Sequence, residues 1–384
     1  MIPYAKQSIS AEDISAVVEV LKSDFITQGP VVPQFEKAVA DYCGVEFSIA
    51  TANATSALHL ACMALEIGPG DRVWTSPNTF VASANCVLYC GAYIDFVDID
   101  PRTYNLCPLE LEQKLIEAEI KEQLPKAVIA VHFAGQSCEM KKIHELSLRY
   151  GFRVIEDASH AIGGNYLGDK IGNCQYSDMT VFSFHPVKII TSGEGGMLLT
   201  NIKQLAERAA LLNNHGITRN QDIFVDKTRK VGYYEQQQLG YNYRMSDIHA
   251  ALGLSQFSRL DYFIQKRREL AEYYQSKLDG LSILVPEQHQ DCNSAWHLYV
   301  VRLKEKVHFA YRDTILDKLK ERGIAGNIHY IPVHTQPYFQ KVGFKWGDYP
   351  KSEKYYRSCI TLPLYVDLGF EQIDYVVTSL KEIL

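Results

Sequence analysis

The chain has 384 residues, 47% hydrophobic and 22% charged, with a formal net charge of −6. This is ordinary globular composition, long enough for a sizeable core, and it fits two or three domains or one large domain with an appendage. The charge argues against a basic nucleic-acid surface, no apolar run reaches the ~18 residues of a membrane span, and the opening MIPYAKQSIS lacks the pattern of a signal peptide.

Residues 46–52 (EFSIATA) read as a strand and 55–66 (TSALHLACMALE) as a helix. A strand at RVWTS, a helix in TFVASANCVLYCG and a strand at AYIDFVDI come next. A charged amphipathic helix follows in LELEQKLIEAEIKEQL. Then come the strand AVIAVHF, the helix MKKIHELSLRYG and the strand FRVIED, which ends at Asp157. Such βα alternation predicts an α/β fold, with a mostly parallel, doubly wound sheet and helices on both faces. After Asp157 the pattern changes. MTVFSF and GMLLT read as strands joined by SFHPVKIITSGEGG (183–196). A helix follows in KQLAERAALLNNHG, where Gly216 can cap the end. Residues 245–278 are strongly helical. Strand-like AWHLYVVRL, helical RDTILDKLKERG, strand-like AGNIHY and a C-terminal helix complete the chain. The expected division is a large domain over 1–250 and a smaller α+β domain over 251–384.

Nine cysteines, an odd number, occur without a CxxC pair and mostly in apolar runs such as LHLACMAL. They read as reduced core thiols, not as disulfides or a zinc site, with the cytosol as the default compartment and no metal expected.

Ligands of parallel α/β sheets bind beyond the carboxyl ends of the strands, so polar residues following strands are the candidates. Three groups stand out. In ATANATSAL (50–58) a strand turns into a helix near Thr55. Its free amides, with the Thr55 and Ser56 hydroxyls, read as an anion site or as plain helix capping. In VIEDASHAIGG (154–164) a buried strand ends at Glu156-Asp157, with His160 close behind. A carboxylate there binds a metal, pairs with a cation or caps a helix. In SFHPVKIITSGEGG, Lys188 lies four residues past an apolar strand, near Ser183, and Gly193, Gly195 and Gly196 allow a sharp turn beside it. It is either a solvated surface charge or a desolvated amine with a lowered pKa and nucleophilic character. No GxGxxG or P-loop pattern occurs, which counts against a nicotinamide or nucleotide fingerprint.

One cofactor unites the three groups. Pyridoxal 5′-phosphate needs an amine for its Schiff base, an acid for its pyridine nitrogen and an anion pocket for its phosphate. Lys188, Asp157 and the 53–56 turn offer these, and Phe80 in SPNTFVAS follows a strand in the right place to cover the ring.

With these residues in view, the chain resembles the DegT/DnrJ/EryC1/StrS family of pyridoxal-phosphate-dependent sugar aminotransferases. The likeness runs through nearly the whole sequence, in FITQGPVVPQFEKAVADYCG, NATSAL, GPGDRVWTSPNTFVA, IEDASHAIGG, FSFHPVKIITSGEGGMLLT, LGYNYRMSDIHAALGLSQ and IHYIPVHTQPYF. The resemblance implies aminotransferase fold type I: a large domain with a mostly parallel seven-stranded sheet sandwiched by helices, plus a smaller C-terminal α+β domain. It implies Lys188 as the Schiff-base lysine, Asp157 as partner of the pyridine nitrogen and His160 near the ring. It further implies Phe80 stacked on the ring, and Thr55, Ser56 and Ser183 around the phosphate. Asn242 in GYNYR would reach the neighbouring subunit's cofactor, making a homodimer with shared sites.

Lysine at 188, where some members carry histidine and act as dehydratases, points to transamination. The implied reaction moves an amino group from L-glutamate to C4 of a UDP-linked 4-keto-6-deoxy-N-acetylhexosamine. The product would be UDP-4-amino-4,6-dideoxy-N-acetyl-β-L-altrosamine, on the route to pseudaminic acid. Perosamine, legionaminic and 4-amino-arabinose types are the near competitors, with a non-catalytic binding relative behind them. Lys188 would carry the proton in both half-reactions. His329, Tyr330 and His215 are the expected sugar-nucleotide contacts. Arg219, Arg229 and Arg244 stay open for the glutamate side chain.

Overall fold

The alternation resolves into one seven-stranded sheet in a computed structural model that describes residues 1–229, 232–305 and 307–384. The strands are β1 (Phe47–Thr51), β2 (Arg72–Thr75), β3 (Tyr93–Phe96), β4 (Ala127–Val131), β5 (Arg153–Asp157), β6 (Met179–Ser183) and β7 (Gly196–Thr200). Their order is β1-β7-β6-β5-β4-β2-β3. Only β7 runs against its neighbours, pairing antiparallel with both β1 and β6. Strand β4, AVIAV, is buried along its whole length, as a central parallel strand covered on both faces must be. Because β7 opposes both β1 and β6, those two point the same way as β5. The carboxyl ends of β1, β2, β5 and β6 therefore share one edge of the sheet.

Two helices precede the sheet, α1 (Ala11–Lys22) and α2 (Val31–Cys43). Ser10 and Asp13 form a capping box at the start of α1. Within the sheet region lie α3 (Ala54–Ala64), α4 (Ala82–Tyr89), α5 (Pro108–Ile120), α6 (Met140–Tyr150) and α7 (Lys203–Asn213). Nearly every residue of α3 from Ser56 to Ala64 is buried, so this helix is sandwiched, not amphipathic. At the end of α7 the Gly216 amide closes back on Leu211 O at 2.9 Å, beyond the cap residue Asn214.

The helical stretch expected over 245–278 is two helices, α8 (Asp247–Phe257) and α9 (Leu260–Lys277), broken at Ser258–Arg259. Helix α9 serves two cores. Leu260, Phe263 and Ile264 pack with Phe182 and Phe184 of the large sheet. Leu270, Ala271 and Tyr274 pack instead with a small antiparallel sheet of β8 (Ile283–Leu284), β9 (Tyr299–Leu303) and β10 (Cys359–Leu362). Helix α10 (Phe309–Glu321) and the C-terminal helix Phe370–Ile383 complete that second core. The first residues join it too: Ile2 N–H donates to Gly323 O and Tyr4 O accepts from Leu364 N–H.

The strand-like AGNIHY (325–330) does not form a strand. Only Asn327 bridges Thr361 of β10. The chain then turns toward the large sheet, where Tyr330 N–H meets Asn78 Oδ1 at 3.3 Å and Val333 N–H meets Pro77 O at 2.9 Å. That detour places His329 and Tyr330 at the sheet edge. All nine cysteines are free thiols, and seven are buried. Among the described residues no helix is long and apolar enough to cross a membrane, and no group of His, Cys, Asp and Glu is placed to hold a metal.

Candidate active site

A cavity of about 380 Å³ opens at the shared carboxyl edge. Its first wall is the turn from β1 into α3. Asn53 caps that helix: its Oδ1 accepts from the Ser56 amide at 2.8 Å and from Ser56 Oγ at 3.0 Å. Capping therefore falls to Asn53, not to Thr55 or Ser56. Among the described residues the Ala54 and Thr55 amides have no acceptor, and both residues line the cavity. Free amides at a helix N-terminus form an anion cradle. Ser183, ending β6, lines the same cavity, whereas Ser56 is buried and held by Asn53. Gly196 lets β7 press against this turn. A Cβ there would lie 2.6–2.7 Å from the backbone of Asn53 and Ala54.

Strand β5 delivers the second wall. Alternation sends its two terminal carboxylates to opposite faces. Glu156 turns inward to His132 Nε2 at 2.6 Å and to the hydroxyls of Ser177 and Thr180. Asp157 faces the cavity. Its Oδ2 accepts from Ser83 Oγ at 2.6 Å, and its Oδ1 from the Ser159 amide at 3.1 Å and hydroxyl at 2.5 Å. Thr79 Oγ1 lies 2.7 Å from Ser83 Oγ, so the donors run Thr79 to Ser83 to Asp157. Asp157 makes no ion pair with protein and caps no α-helix among the described residues; it is a held carboxylate with a free side toward the cavity.

The β6–β7 hairpin supplies the amine. Phe184 N–H donates to Gly195 O at 2.9 Å, and Ser192 N–H donates to Phe184 O at 3.0 Å, closing the loop's base. The loop hydroxyls are spent within it, Thr191 on Phe184 O and Ser192 on Glu194 O. Ile189 and Ile190 are buried against Phe35 and Phe184, which anchors the backbone next to Lys188. Lys188 is partly buried and opens on the cavity. Desolvation pulls its pKa down from 10.5 to about 8, against the opposing pull of the Asp157 carboxylate. A lowered lysine pKa means more neutral, nucleophilic amine at neutral pH. Capture of pyridoxal phosphate by the cofactor-free protein, followed by stopped-flow absorbance, should therefore accelerate as pH rises and level off above about 8. A rate still climbing toward pH 10 would show an ordinary surface lysine.

Aromatic and imidazole groups close the site. The Ala134 amide donates to His160 Nδ1 at 3.2 Å. The neutral ring then carries its proton on Nε2 and donates it to Tyr330 Oη, 3.0 Å away. Burial, with Lys188 and His329 nearby, holds His160 well below the usual histidine range. Tyr330 thus keeps its own hydroxyl proton to give. Phe80 is 59% exposed at the cavity mouth, its ring centroid 6.4 Å from that of Tyr330. His329 pairs through Nδ1 with Thr361 Oγ1 at 2.9 Å, and burial pushes its pKa down to about 3.

Other expected residues lie elsewhere. His215 and Asn242 are exposed and outside the cavity: His215 N–H bonds Tyr241 O, and Asn242 bridges Asn214 through the backbone. Arg219 is exposed, Arg229 pairs with Asp226, and Arg244 donates to Asn214 Oδ1 at 2.6 Å. None of the three lines the cavity. Ser83, Ser159 and His297 were missed from sequence. A hydroxyl four residues after Thr79, and a histidine inside the apolar run AWHLYVV, were the available signals.

An amine, a strand-end carboxylate and free helix-terminal amides meet in one cavity. That donor set suits a pyridine bearing an aldehyde and a phosphate, so the residues fit pyridoxal phosphate. Comparison with known proteins points the same way. The model of the DegT/DnrJ/EryC1/StrS aminotransferase family matches residues 7–381. The spore coat polysaccharide biosynthesis protein SpsC of Bacillus subtilis (strain 168) is 38% identical over 387 aligned positions, covering 100% of this chain and 97% of that protein. Helicobacter pylori PseC, an aminotransferase involved in the biosynthesis of pseudoaminic acid, superposes with a TM-score of 0.90 at 30% identity, covering 100% of this chain and 98% of that one. Streptococcus pneumoniae Spr1654, in its PMP form, superposes with a TM-score of 0.90 at 29% identity, over 100% of this chain and 99% of that one.

Proposed function

Because the chain belongs to the DegT/DnrJ/EryC1/StrS family of sugar aminotransferases, we propose that it moves an amino group from L-glutamate to C4 of a UDP-linked 4-keto-6-deoxy-N-acetylhexosamine. At family level it is a pyridoxal-phosphate-dependent sugar aminotransferase of fold type I. The product of the finer reading is UDP-4-amino-4,6-dideoxy-N-acetyl-β-L-altrosamine. The observation that carries transamination is Lys188, a partly buried amine with a lowered pKa, in one cavity with Asp157. The likeness to PseC favours the pseudaminic-type substrate.

When bound, pyridoxal phosphate supplies an electron sink for proton loss and carries the amino group between the two substrates. The chain does the rest. The Ala54 and Thr55 amides, the Thr55 hydroxyl and Ser183 hold the phosphate. Phe80 covers the ring. Asp157, fixed by Ser83 and Ser159, keeps the pyridine nitrogen protonated. Lys188 takes the proton from Cα of the donor as a general base and, in the second half, delivers one to sugar C4. His160 orients Tyr330, whose hydroxyl and His329 face the sugar.

The sugar nucleotide enters between a large domain (1–250) and a small one (251–384). A second copy brings Asn242 toward the phosphate, so the working unit is a homodimer. A reducing, cytoplasmic setting agrees with nine free thiols. The test is a panel of keto-sugars. The UDP-linked 4-keto-6-deoxy-N-acetylhexosamine of this reading should give the highest kcat/KM with L-glutamate. A higher value for perosamine-, legionaminic- or 4-amino-arabinose-type substrates would reassign the sugar.

A further inference from the structure

The amino donor brings carboxylates, yet among the described residues no arginine lines the cavity. Three buried imidazoles do. His160 is engaged at both ring nitrogens, by the Ala134 amide and Tyr330 Oη. His329 is engaged through Nδ1 with Thr361. His297, only 2% exposed, hydrogen-bonds through neither ring nitrogen among the described residues, and its Nδ1 is buried without any partner. An unpaired buried polar group is costly and calls for an explanation.

The backbone of His297 is held firmly. Its N–H donates to Ala134 O at 2.9 Å. Its carbonyl accepts from Arg267 Nη1 at 3.3 Å, and the same nitrogen reaches the carbonyls of Trp296 and Leu364 at 3.2 and 3.1 Å. Its ring centroid is 4.4 Å from that of His160. Gly135 lets these segments meet, since a Cβ there would lie 2.8–3.0 Å from the Trp296 and His297 amides and the His160 carbonyl.

Arg267 supplies the second, independent observation. It is 1% exposed and forms no ion pair among the described residues; carbonyl oxygens alone surround its charge. Burial lowers its pKa to about 10, so it stays cationic at neutral pH. Burial above all, with His160, Lys188 and Arg267 adding to it, disfavours protonation of His297. A cavity-lining imidazole with unused hydrogen-bonding capacity, beside a buried cation lacking a counter-ion among the described residues, suits a ligand anion.

We propose that His297 is a binding residue for a carboxylate of the amino-acid donor, with Arg267 behind it supplying the favourable field. The inference rests on the aminotransferase reading but not on the identity of the sugar. Neutral His297 donates an N–H to the carboxylate oxygen, and no proton transfer is required. The diphosphate of the sugar nucleotide is the competing anion.

The test uses holoenzyme carrying His297→Ala or His297→Gln, with the visible cofactor spectrum confirming a folded, loaded site. The two half-reactions are measured separately. The donor is whichever of L-glutamate, L-glutamine and L-aspartate bleaches the wild type fastest, so a wrong donor assignment does not confound the result. Loss of a hydrogen bond to a charged group should raise donor KM about tenfold or more in His297→Ala. His297→Gln should recover part of it through its amide, and sugar-nucleotide KM should change less than about twofold. Unchanged donor KM overturns the proposal, as does a rise confined to the sugar nucleotide. A donor KM that responds to Arg219→Ala, Arg229→Ala or Arg244→Ala but not to His297→Ala overturns it as well.

Discussion

Replacing Lys188 with alanine should abolish turnover, lowering kcat by at least about 10³-fold, because in the proposed mechanism one amine carries the proton in both half-reactions and general acid–base catalysis alone is worth about 10²–10⁴. The variant should still bind pyridoxal phosphate. The Ala54 and Thr55 amides, Ser183 and Asp157 stay in place, held by Asn53, Ser83 and Ser159. Borohydride should no longer fix the cofactor to the chain. Stability should not fall. In the cofactor-free protein the folded pKa of Lys188, about 8, lies below the ordinary 10.5, so its charged form is disfavoured by folding. That penalty is fully present below about pH 8 and is relieved as pH rises toward 10.5. A melting temperature at pH 7 equal to or above that of the wild type is therefore expected. Trapping that persists, or turnover within tenfold of wild type, would remove Lys188 from its role.

Asp157→Asn should have the second largest effect. The substitution keeps the size of the side chain and an oxygen for Ser83 or Ser159, but removes the charge. On the proposed role of Asp157, loss of that charge would let the pyridine nitrogen give up its proton and weaken the bound ring as an electron sink. Loss of a preorganised electrostatic contact at a reacting centre costs about 10²–10³ in kcat. Both half-reactions should slow together, since both pass through proton removal. Ser83→Ala should show a milder version of the same change, because it removes one of the donors that fix Asp157. If Asp157→Asn retains kcat within about threefold, the carboxylate is only a structural hydrogen-bond acceptor.

The sheet was legible because its strands are apolar on both faces. AVIAV and MTVFS are buried along their whole length, as central strands covered on both faces must be. The candidate site was legible where its residues end a strand or lie a few residues past one, as Asp157 and Lys188 do. What the sequence hid depends on contacts through space. Ser83 lies 74 positions from Asp157 along the chain, and His297 meets His160 across the two cores. The break at Ser258–Arg259 was invisible because helical periodicity continues on both sides of it. AGNIHY has the composition of a strand but leaves β10 after one bridge. Past that bridge the chain bonds to Asn78 through Tyr330 and to Pro77 through Val333, which no local pattern records. The initial helices α1 and α2 were not assigned from sequence, and Pro30 and Pro33 around the start of α2 obscure its pattern. The likeness to a known family bridged part of this gap by suggesting roles for His329 and Tyr330, which no strand-end argument would single out alone.

The most direct measurement is nuclear magnetic resonance of the product formed from L-glutamate carrying heavy nitrogen and a UDP-linked 4-keto-6-deoxy-N-acetylhexosamine. The proposed reaction predicts labelled nitrogen bonded to C4 of the sugar, one equivalent of 2-oxoglutarate, and no product with Lys188→Ala. Label that stays in glutamate, or that appears at another sugar carbon, would contradict it.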